Sequence, residues 1–233
     1  MINKGFLFKT VIIILFSYFF LMSQTLYDPL PQQKADLIKL LENKFNITDR
    51  NIITALQSVN REDFLPEELK KYAYIDISLP IDNSNVIISY SDLMKGITSI
   101  KNNKKEKVLV IGRNSDFTAV ILSFLYKEVY LIESNFALRN RNEKLIKDKY
   151  NNITYAFSND YNYFSTHGPF DLVYINNSIN EFTTNYIDLL NQNGEVIFAL
   201  SDKYGFSILH KATKVGFSYN ITILGEVLFP SVN

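Results

Sequence analysis

VLVIGRNSDFTAVILSFLYKEVYLIE, running from Val108 to Glu133, decides the fold. Its two ends, Val108–Gly112 and Val129–Glu133, are unbroken apolar runs, the pattern of strands buried on both faces. Thr118–Tyr126 between them reads as a helix. A strand, a helix and a second buried strand over this length make a βαβ unit, which needs a parallel pair with a helix crossing over it. The alternation continues downstream with a helix from Ala137 to Tyr150, strands at Ile153–Phe157 and Phe170–Asn176, and a helix around Tyr186–Leu190. A turn at Asn193-Gly194 then leads into a strand at Glu195–Leu200, and Ser218–Leu224 with Val227–Phe229 supply an antiparallel hairpin at the sheet edge. The spacing predicts an α/β fold, a doubly wound and mostly parallel sheet with an antiparallel C-terminal edge.

Upstream, apolar residues recur at helical spacing from Pro31 to Leu41, and Thr48-Asp49-Arg50 opens a second helix through Val59. Arg61 to Ile81, punctuated by Pro66 and Pro80, is an ordered connector over the core, followed by a helix from near Asp92 toward Ile100. KNNKKEK, Lys101–Lys107, reads as a solvated linker into the first strand of the core.

The chain has 233 residues, 47% of them hydrophobic and 21% charged, enough to bury the core of one domain and too apolar for a disordered chain. Lys+Arg and Asp+Glu each total 24, so no net charge argues for a nucleic-acid partner. The chain has no Cys and only two His, which removes thiolate catalysis and a His/Cys zinc cluster, so no metal is expected. His167 falls in a loop and His210 in a helix, neither beside a Ser or an acid that would make a triad. Lys4 and Lys9 precede an apolar run from Val11 to Met22 that ends at Ser23-Gln24. Residues 1–24 therefore read as a hydrophobic signal peptide or a membrane anchor, with membrane association through residues 4–24. The domain of residues 25–233 then divides into N-terminal helices and connector (25–100) and the α/β core (101–233). An exported or anchored protein of the periplasm or cell envelope is expected; an anchor with the domain facing the cytoplasm is the alternative.

In a doubly wound sheet, ligands bind beyond the carboxyl ends of the strands. After the first core strand comes Gly112-Arg113-Asn114-Ser115-Asp116-Phe117, with one glycine where a nucleotide-binding turn carries several. Gly112, Arg113 and Ser115 are its candidate cofactor contacts. Glu133 closes the second strand, where a carboxylate can accept two hydrogen bonds from ribose hydroxyls. Asp160 follows the third strand and is placed to meet an adenine amino group, and Asn176, Asn177 and Ser178 follow the fourth as polar candidates for the cleft wall.

ALQSVNREDFLPEELKKYAYIDISLPI, Ala55–Ile81, resembles the N-terminal signature of the protein-L-isoaspartate O-methyltransferases. Val59, Arg61, Glu62, Phe64 and Pro66 match in order and spacing, as do Ala73, Tyr74, Asp76, Leu79, Pro80 and Ile81. The likeness extends through VLVIG, VYLIE, the Asp160 turn, PFDLVYIN and LLNQNGEVIF to Phe229-Pro230. The resemblance implies a Rossmann-like class I methyltransferase fold, S-adenosylmethionine as cofactor, and isoaspartyl carboxylates of damaged proteins or peptides as substrate. Such a nucleophile, with a reference pKa of about 3.9, is ionised at neutral pH and needs no general base. The family's substrate-contacting hydroxyl lies in an Ile-Ser segment, matched here by Ile88-Ser89, so Ser89 is the candidate catalytic residue, with a helix N-cap as its other reading. The departures gather at the cofactor end, where Val110 to Phe117 lacks the family's acidic residue and two of its glycines. Two functions stay open on the sequence: a divergent S-adenosylmethionine-dependent protein carboxyl methyltransferase, and a catalytically inactive module of the cell envelope that keeps the fold to bind proteins.

Overall fold

The computed structural model describes residues 28–81, 86–135, 139–202 and 206–229; the hydrophobic leader lies outside the described residues. Two helices open the domain, α1 (Leu30–Phe45) and α2 (Arg50–Ser58). Asp49 caps α2 by accepting from the Asn51 N–H at 2.8 Å, which supplies one of the partners that a first helical turn lacks. The connector holds two 3₁₀ turns and a small antiparallel pair, β1 (Leu79–Pro80) with β2 (Val86–Ile87), before α3 (Tyr90–Ser99).

The core follows as β3 (Lys107–Gly112), α4 (Asp116–Leu122), β4 (Glu128–Glu133), α5 (Arg139–Lys149), β5 (Ile153–Phe157) and β6 (Phe170–Ile179). It ends with α6 (Asn185–Asp188), β7 (Leu190–Ser201), β8 (Ser207–Val215) and β9 (Ser218–Val227). These seven strands form one sheet in the order β5-β4-β3-β6-β7-β8-β9, parallel up to β7 and antiparallel from there to the edge. This is the expected fold. The strand order reverses at β3, flanked by β4 and β6, which puts the switch point at Gly112 and Glu133, partners in the β3–β4 register.

Alternation along the strands feeds two cores. Val108, Val110, Val129, Leu131, Leu172 and Tyr174 meet the N-terminal helices and α4, whereas Leu109, Tyr130, Ile132, Val173 and Ile175 pack with Phe164, Phe170 and Ile187 on the other face. On the first face Arg61 is fully buried and donates to the carbonyls of Ala73, Ile77, Ile87 and Ile88 at 2.8–3.4 Å. Its guanidinium also lies over the rings of Tyr90 (5.0 Å) and Phe117 (5.8 Å), so one side chain joins the connector to α3 and α4.

Five sequence expectations change, the first being that the turn expected at Asn193-Gly194 lies inside β7, which starts at Leu190. The fourth core strand runs on to Ile179, so Asn176, Asn177 and Ser178 lie inside it rather than after it. His210 sits in β8, not in a helix: Leu and Ala favour helix, but pairing with β7 and β9 on both sides overrides that preference. Val227–Phe229 is not a separate strand, because Val227 ends β9. The linker before β3 is not simply solvated. Lys101 and Asn102 donate backbone N–H groups to the Glu195 carboxylate, and Glu106 and Lys107 donate theirs to Asp171 Oδ2 at 3.0 and 3.1 Å. Both carboxylates are buried, and Lys211 pairs with Glu195 at 3.0 Å.

Candidate functional site

A cavity of about 510 Å³ opens at the carboxyl ends of β3 to β6. Ile111, Ile132 and Ile175 form its apolar floor; Gly112, Arg113 and Asn177 stand on one side, and Ser134, Ser158, Asn159 and Tyr161 on the other. The size is that of a cofactor pocket, and the placement is the one that the switch in strand order dictates.

Gly112 has φ 147°, a conformation that L side chains rarely adopt, and a Cβ there would overlap Asn177 Oδ1. That oxygen accepts from the Arg113 N–H at 2.6 Å. Asn176, fully buried, accepts from Thr118 Oγ1 at 2.6 Å and donates through Nδ2 to the Arg113 carbonyl at 3.3 Å. The turn after β3 is thus held from β6 by two asparagine side chains. Asn114 takes the positive φ (51°) that the second half of the turn requires, which Asn tolerates better than most residues.

Glu133 does not reach the cavity. It is fully buried, with Oε2 accepting from Ser115 N (3.0 Å) and Ser115 Oγ (3.2 Å) and Oε1 from Asn135 N (2.7 Å). Asn135 Nδ2 donates to Asn114 Oδ1 at 3.2 Å, which ties the loop after β4 to the turn after β3. Burial, and then the nearby Asp116, push the Glu133 carboxyl up to about 8 against the pull of the backbone N–H groups. The unfolded chain ionises this group near 4.5, so between about pH 4.5 and 8 the native state holds more protons and stability falls as pH rises. Urea titrations at pH 5 and pH 8 are expected to differ by about 1–3 kcal/mol in that direction, and Glu133→Gln to flatten the difference.

The other candidates fall as follows. Gly112 and Arg113 line the cavity, Ser115 is buried with its single hydroxyl hydrogen shared between Glu133 and the Gly112 carbonyl, 3.1 Å from its Oγ, and Asn176 is buried behind the wall. Asp160 is exposed and accepts from the Asn162 N–H at 2.9 Å in a turn, while its neighbours Asn159 and Tyr161 face the cavity. Ser89 caps α3, accepting from the Asp92 N–H at 3.1 Å, and lines a second cavity of about 550 Å³ with Asp76, Ile77, Phe206 and Leu228. The two cavities share no lining residue; Ser178, within β6, lines neither, and its Oγ donates to the Phe229 carbonyl at 3.5 Å. Ser134, Asn135 and Tyr161 were not singled out from the sequence, although their places just beyond β4 and β5 are the signal that finds them. Among the described residues no group of His, Asp or Glu side chains is arranged to hold a metal ion.

An adenosyl group fits this cleft in volume and in lining, an apolar floor for a flat base with Arg113 and neutral polar groups around it. The one departure is the carboxylate, which is turned into the loop.

The family model described as protein-L-isoaspartate(D-aspartate) O-methyltransferase matches residues 32–232. Protein-L-isoaspartate O-methyltransferase 2 of Shewanella sediminis is 28% identical over 185 residues, 79% of this chain and 76% of that protein. Two solved structures share the fold. A protein-L-isoaspartate O-methyltransferase superposes with a TM-score of 0.75 at 18% identity, covering 86% of this chain and 66% of the other. A putative protein-L-isoaspartate O-methyltransferase from Plasmodium falciparum, in complex with S-adenosyl-L-homocysteine, gives 0.72 at 21% identity, covering 85% and 97%. With the match extending over both the connector and the whole sheet, the chain belongs to the protein-L-isoaspartate(D-aspartate) O-methyltransferase family.

Proposed function

We propose that this protein methylates isoaspartyl carboxylates of damaged proteins or peptides, with S-adenosylmethionine as the methyl donor. The observation that carries the reading is the cavity at the β3 switch point in a chain of this family. S-Adenosylmethionine, when bound, supplies an electrophilic methyl group, and the substrate carboxylate is ionised at neutral pH. The chain's own residues therefore need to position and to exclude water rather than to move a proton. Gly112 and Arg113 would hold the amino-acid end of the donor, and Asn159 with Tyr161 the base. Ser89 is the candidate substrate contact: its oxygen accepts from the Asp92 N–H, which leaves the hydroxyl hydrogen to donate to a carboxylate in the second cavity.

The test is transfer of labelled methyl from S-adenosylmethionine to an isoaspartyl peptide, with the aspartyl isomer as control. Label on the isoaspartyl peptide alone is the expected result, and no label at saturating donor would overturn the reading. Ser89→Ala is expected to cost about 1 kcal/mol of stability through the lost cap, and to lower kcat/KM by roughly tenfold or more through the lost bond to a charged group.

The apolar run Val11–Met22 behind Lys4 and Lys9 supports export or anchoring in the cell envelope. Among the described residues no helix is long and apolar enough to cross a membrane. Fractionation of cells expressing the full chain, with protease added to intact cells or spheroplasts, distinguishes a released domain from an anchored one and reports which way it faces.

A further inference from the structure

A carboxylate that reads a ribose must present both oxygens to the two hydroxyls of the sugar. Glu133 occupies the end of β4 where such a group belongs, but both of its oxygens already accept hydrogen bonds from Ser115 and Asn135, and none of its surface is exposed. Asn114 and Asn135, on the two loops that hold it, are themselves buried and joined to each other at 3.2 Å. To reach a ligand, the carboxyl would have to give up the amides that shape the turn after β3. Those N–H groups would then be buried without partners, a loss that hydroxyls entering from the cleft would not repair.

The cleft itself carries no carboxylate among its described lining residues. Its one charged lining residue among those described is Arg113, a donor that cannot act as an anionic acceptor, and its other polar groups are neutral, among them Ser134, Ser158 and Asn177. Neutral hydroxyls and amides bond a sugar hydroxyl much as they bond the water that takes its place, so little is lost when the hydroxyl is absent. A charged acceptor behaves otherwise, because removing a hydroxyl from it leaves a desolvated anion unpaired.

We infer that this chain recognises its adenosyl ligand without reading the ribose diol, Glu133 being an internal tie of the loop and not a sugar contact. The inference rests on the cleft being the adenosyl site. It sets the ligand class more broadly than a diol-reading pocket would, so that S-adenosyl and S-(2′-deoxyadenosyl) thioethers are taken alike.

The experiment is calorimetric titration of the full chain, in detergent if it is retained in membranes, with S-adenosylhomocysteine and with its 2′-deoxy and 3′-deoxy analogues. The expected result is measurable binding of all three, with Kd values within about threefold of one another. A weakening of tenfold or more on removing either hydroxyl would overturn the inference while leaving the cleft as the adenosyl site. Failure of all three to bind would overturn both. A structure of the S-adenosylhomocysteine complex supplies a second readout: Glu133 is expected still to accept from Ser115 N and Asn135 N, and a carboxyl swung onto the ribose would overturn the inference.

Discussion

Arg61→Ala is expected to lower stability by about 3–5 kcal/mol, a large part of the roughly 5–15 kcal/mol that holds a domain of this kind together. The side chain has no exposed surface, and its described partners are four carbonyl oxygens and two ring faces. Burial lowers its pKa to about 10, which leaves it charged at neutral pH. Truncation would leave the Ile88 carbonyl without its Arg61 donor and open a cavity beside Phe117. Arg61→Met fills most of that volume but supplies no donor, so it is expected to recover only part of the loss. Urea titration of the three proteins gives the comparison, and an alanine variant within 1 kcal/mol of the parent would refute the assignment. Because Ile88 precedes Ser89, the same substitution is expected to loosen the segment that carries the candidate substrate hydroxyl.

The second large effect is expected at Gly112→Ala. A left-side φ of 147° strains any L residue by about 1–3 kcal/mol, and the overlap with Asn177 Oδ1 and the 3.2 Å approach to Asn176 Cβ add about 1–3 kcal/mol of overpacking. A total of about 2–6 kcal/mol is the expected loss, read as a fall in Tm. Adding Asn177→Ala should return the steric share and not the backbone share, so the double-mutant cycle is expected to show coupling of about 1 kcal/mol or more. Additive losses would mean that the two residues do not meet.

The sheet was legible because short continuous apolar runs, rich in Val and Ile and set between helices, fit strands buried on both faces. Ile153–Phe157 has the same ends in sequence and structure, and Val108–Gly112 and Val129–Glu133 differ from β3 and β4 only at their first residue. SILHKATKV was not legible as β8, because its Leu, Lys and Ala residues have no strand preference of their own and acquire strand form from two neighbours. At the site, the pattern located the ends of the strands and therefore Gly112, Arg113 and Glu133. What it did not carry is the direction in which the Glu133 hydrogen bonds run. Its partners are the backbone N–H groups of Ser115 and Asn135, which every residue but proline has, and the Ser115 hydroxyl, a common turn residue, so little in the side chains marks a carboxyl that is turned inward.

The stretch from Lys101 to Lys107 has the composition of a cleavable hinge, yet four of its amides end on the buried carboxyls of Glu195 and Asp171. A hinge allows two halves to part company; this one welds them. The helical N-terminal portion and the sheet should consequently melt in a single step, the amides at 101, 102, 106 and 107 should exchange their hydrogens as slowly as the strands beside them, and a permuted chain opened here should fail to assemble.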